Sequence, residues 1–195
     1  GDGDIDVLSA CRYDHKVYWY ENDGSENFTQ HVVANSANSA YDVYAVDVDG
    51  DGDMDVLSPS FGINTVYWHE NNGNENFTQH IISNSALQAR GVYAIDLNED
   101  GDMDVLSASS LDDKIAWYEN DGSANFTERV ISTSADGTHS VYAVDVDADG
   151  DLDVLSASGD DDKIAWYEND GSESFTEHII STSANYAHSV YAQDV

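Results

Sequence analysis

The residues best placed to do chemistry are the nine from Asp47 to Asp55, which read Asp-Val-Asp-Gly-Asp-Gly-Asp-Met-Asp. Five carboxylates in nine residues repel one another unless something draws them together. Gly50 and Gly52 let the backbone turn sharply, because a residue without Cβ tolerates positive φ. The side chains of Asp47, Asp49, Asp51 and Asp55 can then converge, with the backbone carbonyl of Asp53 beside them. Hard oxygen ligands at positions 1, 3, 5, 7 and 9 of a tight loop suit calcium. Magnesium fits less well, because it demands a tight octahedron and keeps its waters. The stretch recurs at Asp96 to Asp104 and at Asp145 to Asp153.

The recurrence belongs to a longer period. Val-Tyr-Ala starts at Val43, Val92, Val141 and Val190, and Asp-Val-Leu-Ser starts at Asp6, Asp55, Asp104 and Asp153, each step being 49 residues. Unbroken periodicity of this kind means a repeat architecture. The repeats run over residues 1–42, 43–91, 92–140 and 141–189, with 190–195 starting a further one, all in one domain. Each repeat reads as four strands. Val43 to Val48 runs into the acidic loop and Met54 to Ser58 leaves it, so the loop joins a hairpin. Lys114 to Glu119 and its counterparts around Trp19, Trp68 and Trp166 form a third strand, and Asn120 to Gly122 signals a turn. Phe126 to Ser132, with Phe77 to Ser83 and Phe175 to Ser181, forms a fourth. No helical period is present.

Both faces of these strands are apolar: Ile115 and Trp117 point one way, Ala116 and Tyr118 the other. A sheet with one wet face would alternate cleanly, whereas one stacked between two copies of itself would not. The expected fold is therefore all-β, a β-propeller of four-stranded antiparallel blades. The column Ala45, Ala94, Ala143, Ala192 suits the slim innermost strand. The competing β-solenoid usually has shorter coils, roughly 20 to 30 residues.

Composition narrows the partners. The chain has 195 residues, 39 acidic against 6 basic, and a formal charge of -33. That argues against nucleic acid and anionic membrane surfaces. Apolar and aromatic residues are too plentiful for a disordered acidic tail. Cys11 is the single cysteine, so no internal disulfide staples the fold. There is no apolar run of about 18 residues, and hence no expectation of membrane insertion.

Together, the run from Val43 to Ser58 and the segment Lys-Ile-Ala-Trp-Tyr-Glu-Asn-Asp-Gly at Lys114 to Gly122 resemble the FG-GAP/VCBS repeats of secreted bacterial proteins. These are similar in turn to the calcium-binding blades of integrin α-subunit propellers. The resemblance spans the whole chain. Phe61-Gly62 is the only Phe-Gly pair and no Gly-Ala-Pro follows it, which places the chain nearer the VCBS-like branch. The resemblance implies a secreted or cell-surface location and calcium as cofactor. It carries the ligand set over to Asp96, Asn98, Asp100 and Asp104 with Asp102, and to Asp145, Asp147, Asp149 and Asp153 with Asp151. Asn98 removes one charge from its site. A fourth loop is divided between the chain ends: Asp194 matches Asp47, while Asp2 and Asp6 match Asp51 and Asp55. Further repeats, or copies of the chain, are expected at these ends.

Asn27, Asn76 and Asn125 head N-glycosylation sequons, which read equally as the turn into the fourth strand. The tryptophan column could stack on sugars, but its mid-strand register fits blade-to-blade core. His31, His80, Arg129 and His178 form a column read as an exposed cationic stripe. Asp112-Asp113 and Asp160-Asp161-Asp162 read as solvated turns. No catalytic constellation stands out. The breaks in the repeat, Arg12, Arg90, Gln193 and Pro59, do not gather in sequence into acid, base and nucleophile. The expected function is non-enzymatic: a calcium-stabilised extracellular module for structure, adhesion or protein interaction, in a surface array or fibril. The alternative is a lectin-like propeller, or an accessory domain of a secreted polysaccharide-active enzyme. Protein and glycan ligands both remain open.

Overall fold

A computed structural model describes residues 3–195. Fifteen strands form four antiparallel meanders. The first comprises β1 (Val7–Cys11), β2 (Lys16–Asn22) and β3 (Phe28–Ala34). The second comprises β4 (Tyr44–Val46), β5 (Asp55–Ser60), β6 (Thr65–Asn71) and β7 (Phe77–Ser83). The third comprises β8 (Ala89–Ile95), β9 (Asp104–Ser109), β10 (Lys114–Asn120) and β11 (Phe126–Ser132). The fourth comprises β12 (Thr138–Val144), β13 (Asp153–Ser158), β14 (Lys163–Asn169) and β15 (Phe175–Ser181). The sheets stack as propeller-like blades.

Two details differ from the expectation of four strands in every repeat. The first sheet has three strands. The segment 190–195, which carries the inner-strand sequence, lies beyond β12 without being a strand. There the Val190 amide donates to Ser140 Oγ at 3.4 Å and Tyr191 meets Tyr142 with ring centroids 4.9 Å apart. The inner strands also start earlier than read. In the third and fourth blades they begin at Ala89 and Thr138, and each carries a bulge after its first residue. Their start sits in the Ser/Ala/Asn-rich links between repeats, and only the pairing with Ser109 and Ser158 turns them into sheet.

The core lies between blades, which explains the apolar character of both strand faces. Leu57, Val66 and Trp68 of the second blade pack on Val105, Ala116 and Tyr118 of the third. Leu106, Ile115 and Trp117 of the third pack in the same way on Val154, Ala165 and Tyr167 of the fourth. The second and third blades thus each offer a tryptophan face to the alanine–tyrosine face of the next. Trp68 and Trp117, between blades, are core as their register implies: Trp117 is 1% exposed. At the two ends of the stack the pattern lacks a partner among the described residues, and Tyr18, Tyr20 and Trp166 stay half-exposed. Gly91 lets two inner strands approach closely, since a Cβ there would lie 2.9 Å from the His139 carbonyl oxygen. No helix of the structure is long and apolar enough to cross a membrane.

A column of hydroxyls runs through the blades and mates Ser107 with Tyr118 at 3.2 Å and Ser156 with Tyr167 at 3.3 Å. In the second blade His69 takes the tyrosine's place, 2.9 Å from Ser58 Oγ. Burial pushes the His69 imidazole down to about 4. The unfolded chain takes its proton near 6.5, so the stability is intact above that pH and is lost as pH falls toward 4. Between pH 7.5 and 5.0 this one side chain costs about 2 kcal/mol. His69→Tyr restores the tyrosine of the other blades. Urea melts at the two pH values should show the wild type losing about 2 kcal/mol more than the variant; parallel losses would rule this role out.

Candidate metal centres

The three acidic loops link the first two strands of blades two to four, at the ends of β4, β8 and β12. Each loop is wound by its own carboxylates accepting its own amides. Asp47 accepts from the Gly50 amide at 2.8 Å and the Gly52 amide at 3.0 Å. Asp49 accepts from Asp51 at 3.3 Å and Asp51 from Asp53 at 2.9 Å. The third loop repeats the scheme: Asp145 accepts from Ala148 and Gly150, Asp147 from Asp149, and Asp149 from Asp151. These side-chain-to-backbone turns are what short acidic residues form readily. They use part of the acceptor capacity of each carboxylate, which has about four lone-pair sites.

The result is convergence. One oxygen each from Asp47, Asp49 and Asp51 lies within 4.8 Å of the others, and so do oxygens of Asp145, Asp147 and Asp149. Among the described residues no Lys, Arg or His nitrogen lies within 4.0 Å of these six. Desolvation raises Asp49 and Asp147 above the ordinary carboxylate range, and neighbouring acids add to it. In the middle loop Asp96 accepts from Asp100 and Gly101, and the Asn98 amide group donates to Asp100 at 2.9 Å. Asn98 thus relieves internally some of the repulsion that its neighbours leave standing. The donor set, hard oxygens without a cationic side chain, fits a calcium ion in the first and third loops, and in the middle loop with one charge fewer.

The ninth residue of each loop sits differently. Asp55, Asp104 and Asp153 are fully buried at the back of the loop. Asp55 accepts from the amides of Val48 at 3.1 Å and Asn71 at 2.7 Å and from the Trp68 indole at 2.8 Å. Asp104 accepts from Leu97 and Asn120, and Asp153 from Val146 and Asn169. Burial pushes Asp104 up to about 6 against the pull of those amides. These carboxylates tie the loop to the third strand, and Asp55, with three donors, keeps the fewest lone pairs for an ion. Asp53, Asp102 and Asp151 turn their side chains toward Gly73, Gly122 and Gly171 in the turn after the third strand; a Cβ on Gly122 would lie 2.6 Å from Asp102 Oδ2.

The column Asn71, Asn120, Asn169 escaped sequence reasoning, which saw only a turn residue. Asn120 donates to the Met103 carbonyl at 3.1 Å and, across to the neighbouring blade's loop, to the Val48 carbonyl at 3.2 Å. The available signal was an asparagine in all four repeats at the end of the Trp-bearing strand. Of the divided loop, Asp6 holds the Asn22 amide at 2.8 Å as Asp55 holds that of Asn71. Asp194 is exposed at the opposite end of the chain, and no metal-competent cluster among the described residues unites it with Asp6. Asp2 lies outside the described residues.

Asn27, Asn76 and Asn125 are exposed in the turns before the fourth strands. Their amide groups donate within those turns, Asn125 to Asp121 and Asn76 to the Asn74 carbonyl. The cationic stripe is paired rather than free. His31, His80 and His178 stack on the tryptophans at 4.6 Å between centroids, Arg129 lies over Trp117, and each meets a glutamate.

The sequence matches the family described as FG-GAP-like repeat over residues 1–58, 58–107, 96–156 and 145–195, and the chain belongs to that family. No curated protein matches it. Several solved structures share its fold. An Agrocybe aegerita lectin that specifically recognises non-reducing terminal N-acetylglucosamine is 18% identical, with a TM-score of 0.57 over 89% of this chain and 48% of the lectin. The V. cholerae biofilm matrix protein Bap1 is 19% identical, with a TM-score of 0.57 over 97% of this chain and 28% of Bap1. BBS1N, in complex with ARL6DN, is 11% identical, with a TM-score of 0.64 over 95% of this chain and 55% of BBS1N. The chain thus spans about half or less of these proteins.

The loops separate two glycine positions that look alike in sequence. Gly52, Gly101 and Gly150 have φ of 94, 98 and 106°, whereas the position of Gly50 is filled by Glu99 and Ala148 at 59 and 65°. Only the former demands glycine. Gly50→Ala should change the unfolding free energy by less than about 0.5 kcal/mol, and Gly52→Ala should cost about 1–3 kcal/mol. Equal effects in denaturant melts would contradict the assignment.

Proposed function

We propose that this chain is a non-enzymatic, calcium-clamped extracellular repeat module that serves structure, adhesion or protein interaction. The observation that carries the reading is the pair of carboxylate trios held within 4.8 Å without a cationic side chain. Each loop closes the hairpin between the first two strands of its blade, so an ion there would fix blade geometry rather than perform a reaction. The FG-GAP-like repeats and the likeness to a biofilm matrix protein support an extracellular setting. The half-exposed Trp166 at one end of the stack and Tyr18 and Tyr20 at the other suit further blades or copies of the chain, as in a surface array or fibril. The formal charge of -33 speaks against nucleic acid.

The second reading is a carbohydrate-binding propeller, lectin-like or accessory to a secreted polysaccharide-active enzyme. It draws on the likeness to a lectin and on an arginine–aromatic cluster at the opposite face from the loops.

Calcium is the direct test of the first reading. A site with a dissociation constant of about 0.1 mM stabilises the fold by about 2.7 kcal/mol at roughly 10 mM calcium. Three such loops add up to roughly 8 kcal/mol, comparable to the stability of an ordinary domain. Thermal melts in 10 mM calcium and in chelator should therefore differ by well over about 10 °C, with magnesium restoring little. Superimposable curves would end the calcium reading.

A further inference from the structure

We infer that the face opposite the acidic loops is a binding site for a glycan bearing isolated acidic sugars, with Arg12 and Arg90 as its anion-holding pair. The inference rests on the carbohydrate reading of the module and is independent of the ions.

Its first support is where the repeats differ. Most of the 49-residue unit is nearly constant through the chain, but the turn at 12–15 and the link at 38–42 vary along with their counterparts, and two columns of these stretches matter here. One reads Arg12, Phe61, Ser110, Gly159, and the other reads Tyr41, Arg90, His139, His188. The first lies in the turns between the second and third strands and the second at the start of the inner strands, so both open on one face. The inner strands run from this face to the acidic loops, about 20 Å away. In the third and fourth blades Arg90 and His139 are the bulged residues, inserted between ladder pairs. A bulge re-aims a side chain out of the sheet at a cost in pairing, and such bulges are concentrated at functional sites.

The second support is unbalanced charge. The protein has six basic side chains. Lys114, Lys163 and Arg129 are paired with carboxylates. Arg12 and Arg90, 78 residues apart in sequence, instead gather on one pair of rings. The Arg12 guanidinium carbon lies 4.7 Å from the Tyr41 centroid and 5.8 Å from that of Phe61. That of Arg90 lies 5.2 and 5.1 Å from the same two centroids, and its Nε donates to Ser110 Oγ at 2.9 Å. Neither arginine has a carboxylate within 4.0 Å among the described residues. The nearby acid Asp42 is occupied by the Val43 and Val92 amides, and Asp160 lies toward His139. Aromatic rings hold guanidinia in place without neutralising them. Two positive groups so held in a strongly acidic protein are a site for an anion that supplies its own charge.

The rest of the face selects among anions. A dense polyanion is repelled by the surrounding acidic surface, so the partner carries few, well-spaced charges. Beside the arginines, His139, Tyr186 and His188 form a second cluster, with Tyr186 and His188 exposed and their centroids 4.8 Å apart. Such rings with adjacent hydroxyl and imidazole groups suit the flat face and hydroxyls of a pyranose. A guanidinium fork suits the carboxylate of a uronate.

The test is a calorimetric titration of the chain, folded in calcium, with a tetrasaccharide bearing one glucuronate and with the methyl ester of that glucuronate. The acid should bind at least about tenfold more tightly than the ester. Arg12→Gln with Arg90→Gln should abolish that preference, and Arg129→Gln should keep it, with circular dichroism showing each variant folded. Equal binding of acid and ester overturns the acidic-sugar inference and leaves the carbohydrate reading standing. No binding of either overturns both. Binding of an acidic peptide, with no binding of the tetrasaccharide, overturns the inference and assigns the face to protein.

Discussion

The constraint on which the structure turns is the mutual repulsion of three carboxylates held within 4.8 Å of one another. At about 4 Å a pair of unit charges costs about 1 kcal/mol in water and about 4 kcal/mol at the dielectric of a protein surface. The loop amides that each carboxylate accepts offset part of this. A divalent ion would reverse the sign of the whole term and fix the strand pair on either side of the loop. Through Asn120 and Val48 the loop also reaches the adjacent blade. Blade geometry in turn sets how the tryptophan face of one sheet meets the alanine–tyrosine face of the next.

Much of this was legible in the sequence, for a physical reason. A 49-residue period without insertions repeats every local signal, so strand, loop and turn each appear several times. The third and fourth strands were legible to within a residue at Lys114–Asn120 and Phe126–Ser132. The inner strand was less so, because its first residues look like a linker until they pair with Ser109 and Ser158. In the acidic loop, spacing alone could not tell an exposed carboxylate from a buried one. Asp51 and Asp55 are equivalent on paper, yet Asp55 is buried under three N–H donors from parts of the blade up to 16 residues away. The pairing of Arg12 with Arg90 was invisible for the same reason, since it depends on how three blades stack.

The two ends of the blades have taken different chemistries. At the loop end, nearly constant aspartates and the glycine column Gly52, Gly101, Gly150 serve the fold, and repetition is the point. At the other end the same register positions hold arginine, tyrosine, histidine, phenylalanine, serine or glycine. A scaffold built from copies can vary there without disturbing the pairing beneath, which is how one fold comes to host many binding functions.

Calorimetric titration of the chelator-treated chain with calcium tests the central claim most directly. The account predicts a stoichiometry near three ions per chain, one for each loop at Asp47, Asp96 and Asp145, with the Asn98 loop the weakest, and the loss of one ion when Asp147 and Asp149 are both changed to alanine. No saturable binding, or a stoichiometry untouched by that double substitution, would contradict it.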